Sequence, residues 1–386
     1  MEAMIMKPIY YLYAKAFSDF SSRMQFIGLT SALLISEHPE LYLMLFYLGR
    51  QIGGILVSYL AGVVADCYSR RRTMILSELA SGFALSSLIF IEHPVFIVVI
   101  AFFLGITYTF FDVSFRASIP SMFGEERISE INTLLVRLGA IMSIIGFAAG
   151  GLISAFSSYK YLIMFDSAIY LGSALILLKV HWKEQTNPMQ TDQPKLTVSH
   201  VLQSGIYRFL LAIGFVYPLA AASYQYALPL LASVKEHGDL YNGLMWSTVA
   251  AGSFLCSLIL KKQFVNEKRY IVSLLLFAVF VSIAFMYELA PVTFFILLLA
   301  GAAETMVQVC HYTLLQRSDE RVRGRLLGLN TLAVRGGFLA GFGGAPLLAD
   351  VISLPHSVWA IQSILVMCCV VHLWRKYYSR NKAEWS

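Results

Sequence analysis

One carboxylate, Glu304, stands in an apolar run over 291–315 with no basic residue within four positions. An ionisable side chain at such a place is a functional residue by default, and a carboxyl can carry a proton between two faces. Glu304 is therefore the first candidate for a proton-coupling acid. Asp19 is the second; it precedes Arg23 by four residues, so the two share a helix face and either neutralise each other or serve function. Arg50, Arg137 and Arg335 each sit roughly 13–16 Å into their own runs at about 1.5 Å per residue. With Arg23 they are candidates for lining a substrate cavity. Tyr217, Tyr224, Gln225 and Tyr226 add aromatic and amide lining beside Pro218, a possible kink. Lys15 and Arg208 lie near run ends, where long cations snorkel to the interface. His311 reads as a satisfied core histidine, and Glu78 and Asp166 lie nearer the ends of their runs.

The elements that position these residues repeat. Asn132–Gly139 and Asn330–Gly337 are near copies, 198 residues apart in a chain of 386, and each places an arginine at the same point. Such an offset suits two similar halves rather than a solenoid. Apolar residues make up 58% of the chain and charged residues 13%, about half of what a soluble domain carries, so a soluble fold is excluded. Runs long enough to cross a bilayer as helices fall at 9–35, 41–65, 73–92, 94–117, 128–156, 160–179, 204–233, 241–261, 270–288, 291–315, 326–349 and 356–375. No period-two alternation suggests a barrel. With both termini cytoplasmic, twenty lysines and arginines fall on the inner side and only Lys160 and Lys235 on the outer. The expected fold is all-α: twelve transmembrane helices in two six-helix bundles. The polar stretch 181–202 reads as a cytoplasmic linker between bundles at 1–180 and 203–386.

Other chemistry has little footing. The five cysteines form no metal-ligand or disulfide framework. No nucleophile–base pair appears, nor a phosphate-binding loop, so an enzyme is not expected, nor a cofactor; energy would come from a proton gradient. The net charge of +6 is anchoring charge, not a nucleic-acid footprint.

The segment Gly62-Val-Val-Ala-Asp66-Cys-Tyr-Ser-Arg70-Arg71, between spans two and three, carries the sharpest resemblance. It is similar to the Gly-x-x-x-Asp-basic-x-Gly-basic-basic pattern of the major facilitator superfamily, with Cys67 and Ser69 departing from it. The region around Asp112, Arg116 and Asn132 resembles the branch of macrolide-efflux proteins and the enterobactin exporter. The resemblance implies two rocking halves with spans one, four, seven and ten around a cavity. It implies a conformational latch of Gly62, Asp66, Arg70, Arg71, Asp112 and Arg116, with Asp66 facing the helix that begins near Leu326 and Arg70 reaching Asp112. Span five ends Gly146-Phe147-Ala-Ala-Gly150-Gly151, close to an antiporter motif but with Phe147 where that motif has proline. Gly146 with Gly150, and Gly337 with Gly341, form small-residue contact faces.

The expected function is proton-coupled efflux of an amphipathic small molecule by alternating access, as a monomer in the cytoplasmic membrane of a prokaryote. Two alternatives stand beside it. One is export of an anionic substrate such as a siderophore or lipid; the other is a non-transporting receptor or assembly protein on the same scaffold. Arg137 and Arg335 either hold the halves together or contact an anionic group of the cargo.

Overall fold

The computed structural model describes residues 8–91, 93–180, 182, 205–259, 266–286, 291–318 and 320–384. Among them are twelve long helices: α1 Pro8–Leu34, α2 Pro39–Cys67, α3 Arg70–Ser87, α4 Pro94–Phe123, α5 Ile128–Phe156, α6 Tyr159–Lys179, α7 Gly205–Ser233, α8 Gly238–Ile259, α9 Glu267–Ala284, α10 Pro291–Gln316, α11 Glu320–Ile352 and α12 Leu354–Glu384. Nine are apolar and long enough to cross a membrane. The other three, α1, α3 and α9, hold much of the charge: Lys15, Asp19 and Arg23 in α1, Arg70–Arg72 and Glu78 in α3, Glu267–Arg269 in α9.

Local sequence sets the ends. Proline stands at the first position of α2 and α4, where its missing N–H costs nothing. Ser69 and Asn266 cap α3 and α9, accepting from the backbone N–H of Arg72 and Arg269. Gly124 ends α4 at φ 85°, a conformation that favours glycine, and its N–H reaches the Pro120 carbonyl at 2.8 Å. α12 continues nine residues past the expected end of span twelve, since no glycine or proline interrupts the charged stretch from Arg375.

The chain forms two compact units, Met1–Asp192 with Ala232–Ser247, and Gln193–Leu231 with Thr248–Ser386. In the first, α2 packs on α4 and α1 on α5 and α6. Backbones approach so closely that a Cβ on Gly105 would overlap the Arg50 backbone, and one on Gly53 the Phe102 carbonyl. Gly146 and Gly150 lie flush against Phe20 and Met24 of α1. The start of α8 belongs here as well, with Ser247 Oγ donating to the Ile144 carbonyl at 2.8 Å. The second unit repeats the scheme. Gly252 of α8 meets Leu298 of α10, and Gly337 and Gly341 of α11 meet Phe215 and Leu219 of α7. Both expected glycine faces are thus helix contacts. The expected linker lies outside the described residues except for Trp182.

Candidate functional site

In the second unit, α7 and α10 build a site around Glu304. Tyr217 and Tyr224 are seven residues apart, hence on one face of α7. Tyr224 Oη donates to Glu304 Oε2 at 2.8 Å, and Tyr217 Oη to Oε1 at 3.3 Å. Gln308, one turn along α10, adds a longer contact to Oε1 at 3.4 Å. Phe277 of α9 packs edge-on against both tyrosine rings, with centroids at 5.3 and 5.8 Å, and so fixes the hydroxyls. Glu304 therefore has partners, although none is charged. Sequence spacing missed them because they come from another helix. Pro218 beside Tyr217 removes a backbone donor and loosens α7 at this level.

Not every expected lining residue faces a site. Tyr226 is fully buried, pointing away from the Tyr217–Tyr224 face because it is only two residues from Tyr224. Gln225 is partly exposed. Below the carboxyl, His311 is a satisfied core residue, bonded to Tyr270 Oη at 2.6 Å and Asn330 Oδ1 at 2.8 Å. It ties α9, α10 and α11 together through the first residue of the repeat. Arg335 is partly buried.

In the first unit the expected Asp19–Arg23 pair does not form. Asp19 is bound by Lys15, one turn earlier, and Lys15 also lies over the Phe111 ring at 5.7 Å. Lys15 is thus drawn inward rather than snorkelling; its side chain is 13% exposed. Arg23 turns to the face of Phe147 at 5.4 Å. The residue that replaces the motif proline therefore serves as a platform for a cation, wedged against Phe26 and Trp246. Arg23 interacts electrostatically with Asp19, Tyr108, Arg50 and Tyr170, four side chains from four helices. Glu78 and Asp166 are not near helix ends; they are 3% and 0% exposed, mid-helix in α3 and α6. Asp166 Oδ1 accepts from Ser21 at 2.5 Å and from Ser22 at 3.4 Å. Both acids keep one buried oxygen without a hydrogen bond. Their burial went unread because α3 and α6 are short of apolar stripes that would reveal a face. Arg137 is exposed on α5, and the side chain of Asn132 lies outside the described set.

The expected Arg70–Asp112 link is absent. Asp112 Oδ2 takes Arg116 Nε at 2.8 Å within α4, an exposed pair of small energetic weight. Arg70 bonds backbone instead, Nε to the Ala65 carbonyl at 2.8 Å and Nη1 to the Ala117 carbonyl at 2.7 Å. Arg71 Nε reaches the Leu177 carbonyl at 2.9 Å and Nη2 that of Leu178 at 2.5 Å. The last carbonyls of a helix have no partner within it and carry partial negative charge. Arg71 thus clamps the end of α6, and Arg70 ties the end of α2 to the Ala117 carbonyl, six residues before the end of α4. Asp66 is half-buried near the end of α2, and Gly62 has open space beside it. Among the described residues no group of three or more His, Cys, Asp or Glu suits a metal ion.

Helices of membrane-spanning length in two units, with a carboxyl held by hydroxyls deep in one of them, define a multi-pass membrane transporter. The chain belongs to the Major Facilitator Superfamily, whose family model matches residues 14–341. It is a transport protein rather than an enzyme. A candidate bacilysin exporter, BacE, of Bacillus subtilis (strain 168) is 26% identical over 295 residues, covering 69% of this chain and 70% of that protein. An uncharacterised MFS-type transporter of the same organism, YvqJ, is 27% identical over 230 residues, 52% of this chain and 51% of that one. Among solved structures, a point mutant of the nucleoside transporter NupG superposes with a TM-score of 0.77 at 11% identity, covering 94% of this chain and 98% of its own. A bacterial homologue of the human lysosomal transporter Spinster, inward-facing and unoccupied, gives 0.69 at 13% identity over 94% and 95%. At such identities these two establish the fold alone.

Proposed function

We propose that this chain is a secondary exporter that exchanges an amphipathic small molecule for protons, with Glu304 as the coupling carboxyl. It would work as a monomer in the cytoplasmic membrane of a prokaryote, with the proton gradient as its energy source. The observation that carries this reading is the pair of tyrosine hydroxyls on Glu304. An ionised carboxylate only accepts hydrogen bonds, so both tyrosines can donate to it. A proton on either oxygen adds a donor and removes the charge, which weakens the hydrogen bonds from both tyrosines. Because both belong to α7, loosened at Pro218, protonation is converted into a change in how α7 holds α10. The likeness to an exporter supports the outward direction. Asp19, already paired with Lys15, is the weaker coupling candidate.

An anionic cargo is the second reading. Arg23 favours it, being exposed midway along α1 with its guanidinium on an aromatic platform rather than in an ion pair.

The test uses inside-out vesicles with an imposed pH gradient and a panel of cationic, neutral and anionic amphiphilic dyes. Dye accumulation that dissipates the gradient, lost in Glu304→Gln, is the expected result. Full coupled transport by Glu304→Gln would sink the assignment of that residue. Dissipation by anionic dyes alone, abolished in Arg23→Gln, would favour the second reading. A protein that moves no dye and never dissipates the gradient would support the non-transporting scaffold.

A further inference from the structure

The second unit contains a cavity of about 690 Å³ that the transport reading does not use. It lies where the first described turns of α7 and the first turn of α9 meet the last part of α12, the end of the unit that the positive charge places on the cytoplasmic side. Its polar floor is self-contained. Glu267 Oε1 accepts from His372 Nε2 at 2.9 Å and Oε2 from Lys376 Nζ at 2.6 Å. Burial alone would raise the Glu267 carboxyl, but these two bonds outweigh it and hold the group below its ordinary value. The acid is thus a fixed, compensated anion.

What remains is an amphipathic box. Arg208 and Arg375 line it, both exposed, and neither makes an ion pair among the described residues. With Lys376 against Glu267, the lining carries two excess positive charges when His372 is neutral. Glu267, the first residue of α9 after its Asn266 cap, also lines the space, so a positive helix end faces it. The rest of the wall is apolar. Phe209 stacks on His372 at 3.7 Å between centroids, and Ala212, Cys368 and Val371 extend the wall along the helices.

The surroundings identify the medium. Met367, Val370, Trp374, Tyr377 and Tyr378 of α12 are more than half exposed, and Trp374 stacks on Tyr378 at 5.9 Å. Exposed apolar residues followed by Trp and Tyr mark the level where hydrocarbon gives way to headgroups. A basic pocket between helices at that level suits a lipid phosphate, and the volume falls within the range of bound amphiphiles. A free phosphate would have no use for the apolar wall.

We propose that this cavity binds an anionic phospholipid of the cytoplasmic leaflet, its phosphate between Arg208 and Arg375 and its upper chains along Phe209, Ala212 and Cys368. This site is independent of Glu304.

Native mass spectrometry of the purified full chain, titrated with phosphatidylglycerol and with phosphatidylcholine, tests it. One phosphatidylglycerol should bind in preference to phosphatidylcholine. Arg208→Gln with Arg375→Gln should weaken it roughly 30-fold, the factor for two cations at about 1 kcal/mol each. Ala212→Trp, which fills the apolar wall and leaves every charge, should also weaken it. Lys160→Gln with Lys235→Gln, an equal charge loss in the segments expected on the outer side, should not. The proposal is overturned if the arginine variant binds phosphatidylglycerol like the wild type. It is equally overturned if the lysine variant loses as much, which means general charge attraction. Displacement of the lipid by excess inorganic phosphate would identify a free-anion site instead.

Discussion

Replacing Arg71 by glutamine removes two hydrogen bonds from a charged donor to the Leu177 and Leu178 carbonyls at the end of α6. A bond from a charged group contributes about 1.5–3 kcal/mol when buried. Arg71 is half-buried and its bond to Leu178 is exposed, so the first bond sits at the low end and the second falls below it. Losing the cation at a helix C-terminus adds about 0.3–1 kcal/mol. The sum is about 2 kcal/mol, or a fall of about 4–8 °C in Tm for a unit of roughly 200 residues. Arg71→Lys keeps the charge but loses the planar fork, so it should recover less than half. Arg72 supplies the control: its side chain is exposed, only its backbone N–H takes part in the cap, and Arg72→Gln should shift the Tm little. Thermal unfolding in lipid nanodiscs, followed by tryptophan fluorescence, reads all three. Equal losses in the Arg71 and Arg72 variants would refute the clamp, because inner-side anchoring charge would then explain both. So would a lysine variant as stable as the wild type.

Three further outcomes follow from packing and from charge. Gly105→Val drives a side chain into the Arg50 backbone and should cost about 3 kcal/mol or more, seen as loss of monodisperse protein on detergent extraction. Gly139→Ala, where a Cβ meets nothing within 4 Å, should be neutral or stabilising by about 0.5–1 kcal/mol. The carboxyl of Glu267 is held below its ordinary value when folded, so its ion pairs stabilise the protein above the unfolded carboxylate value, about 4.3, and that contribution is lost as pH falls through the lower folded value. Wild-type Tm should therefore drop on acidification by more than that of Glu267→Gln, whose curve lacks this step.

Much of the helical layout was legible because a bilayer imposes it: apolar runs of fixed length, loop cations on one side, glycines where backbones must touch. Gly146, Gly150, Gly337 and Gly341 are readable for that reason, since a missing side chain has one main use in a packed helix. The polar sites were readable only as positions. Asp19 has cations one turn away on both sides, and nothing in the spacing says that Lys15 wins while Arg23 goes to Phe147. Arg70 looked like a partner for Asp112, but the i,i+4 arginine Arg116 was nearer, and backbone carbonyls, that of Ala65 at the end of α2 among them, compete well for a guanidinium. The tyrosines on Glu304 come from a helix about 80 residues earlier, so no local pattern could have joined them.

The duplicated frame and the undivided chemistry have different origins in the sequence. Corresponding glycines bind α5 to α1 and α11 to α7, and the α2–α4 contact recurs as α8–α10, so backbone packing kept its symmetry. The polar interiors did not. The first unit buries Glu78 and Asp166 and pairs Asp19 with Lys15. Among the described residues of the second, Glu304 is held by neutral hydroxyls and an amide. A proton arriving at Asp19 meets an acid whose charge Lys15 already compensates. A proton arriving at Glu304 changes the net charge of its site and the strength of both tyrosine hydrogen bonds at once. That asymmetry is the physical reason for seeking the coupling step in the second unit and the contact with an anionic group, if the cargo has one, beside Arg23 in the first.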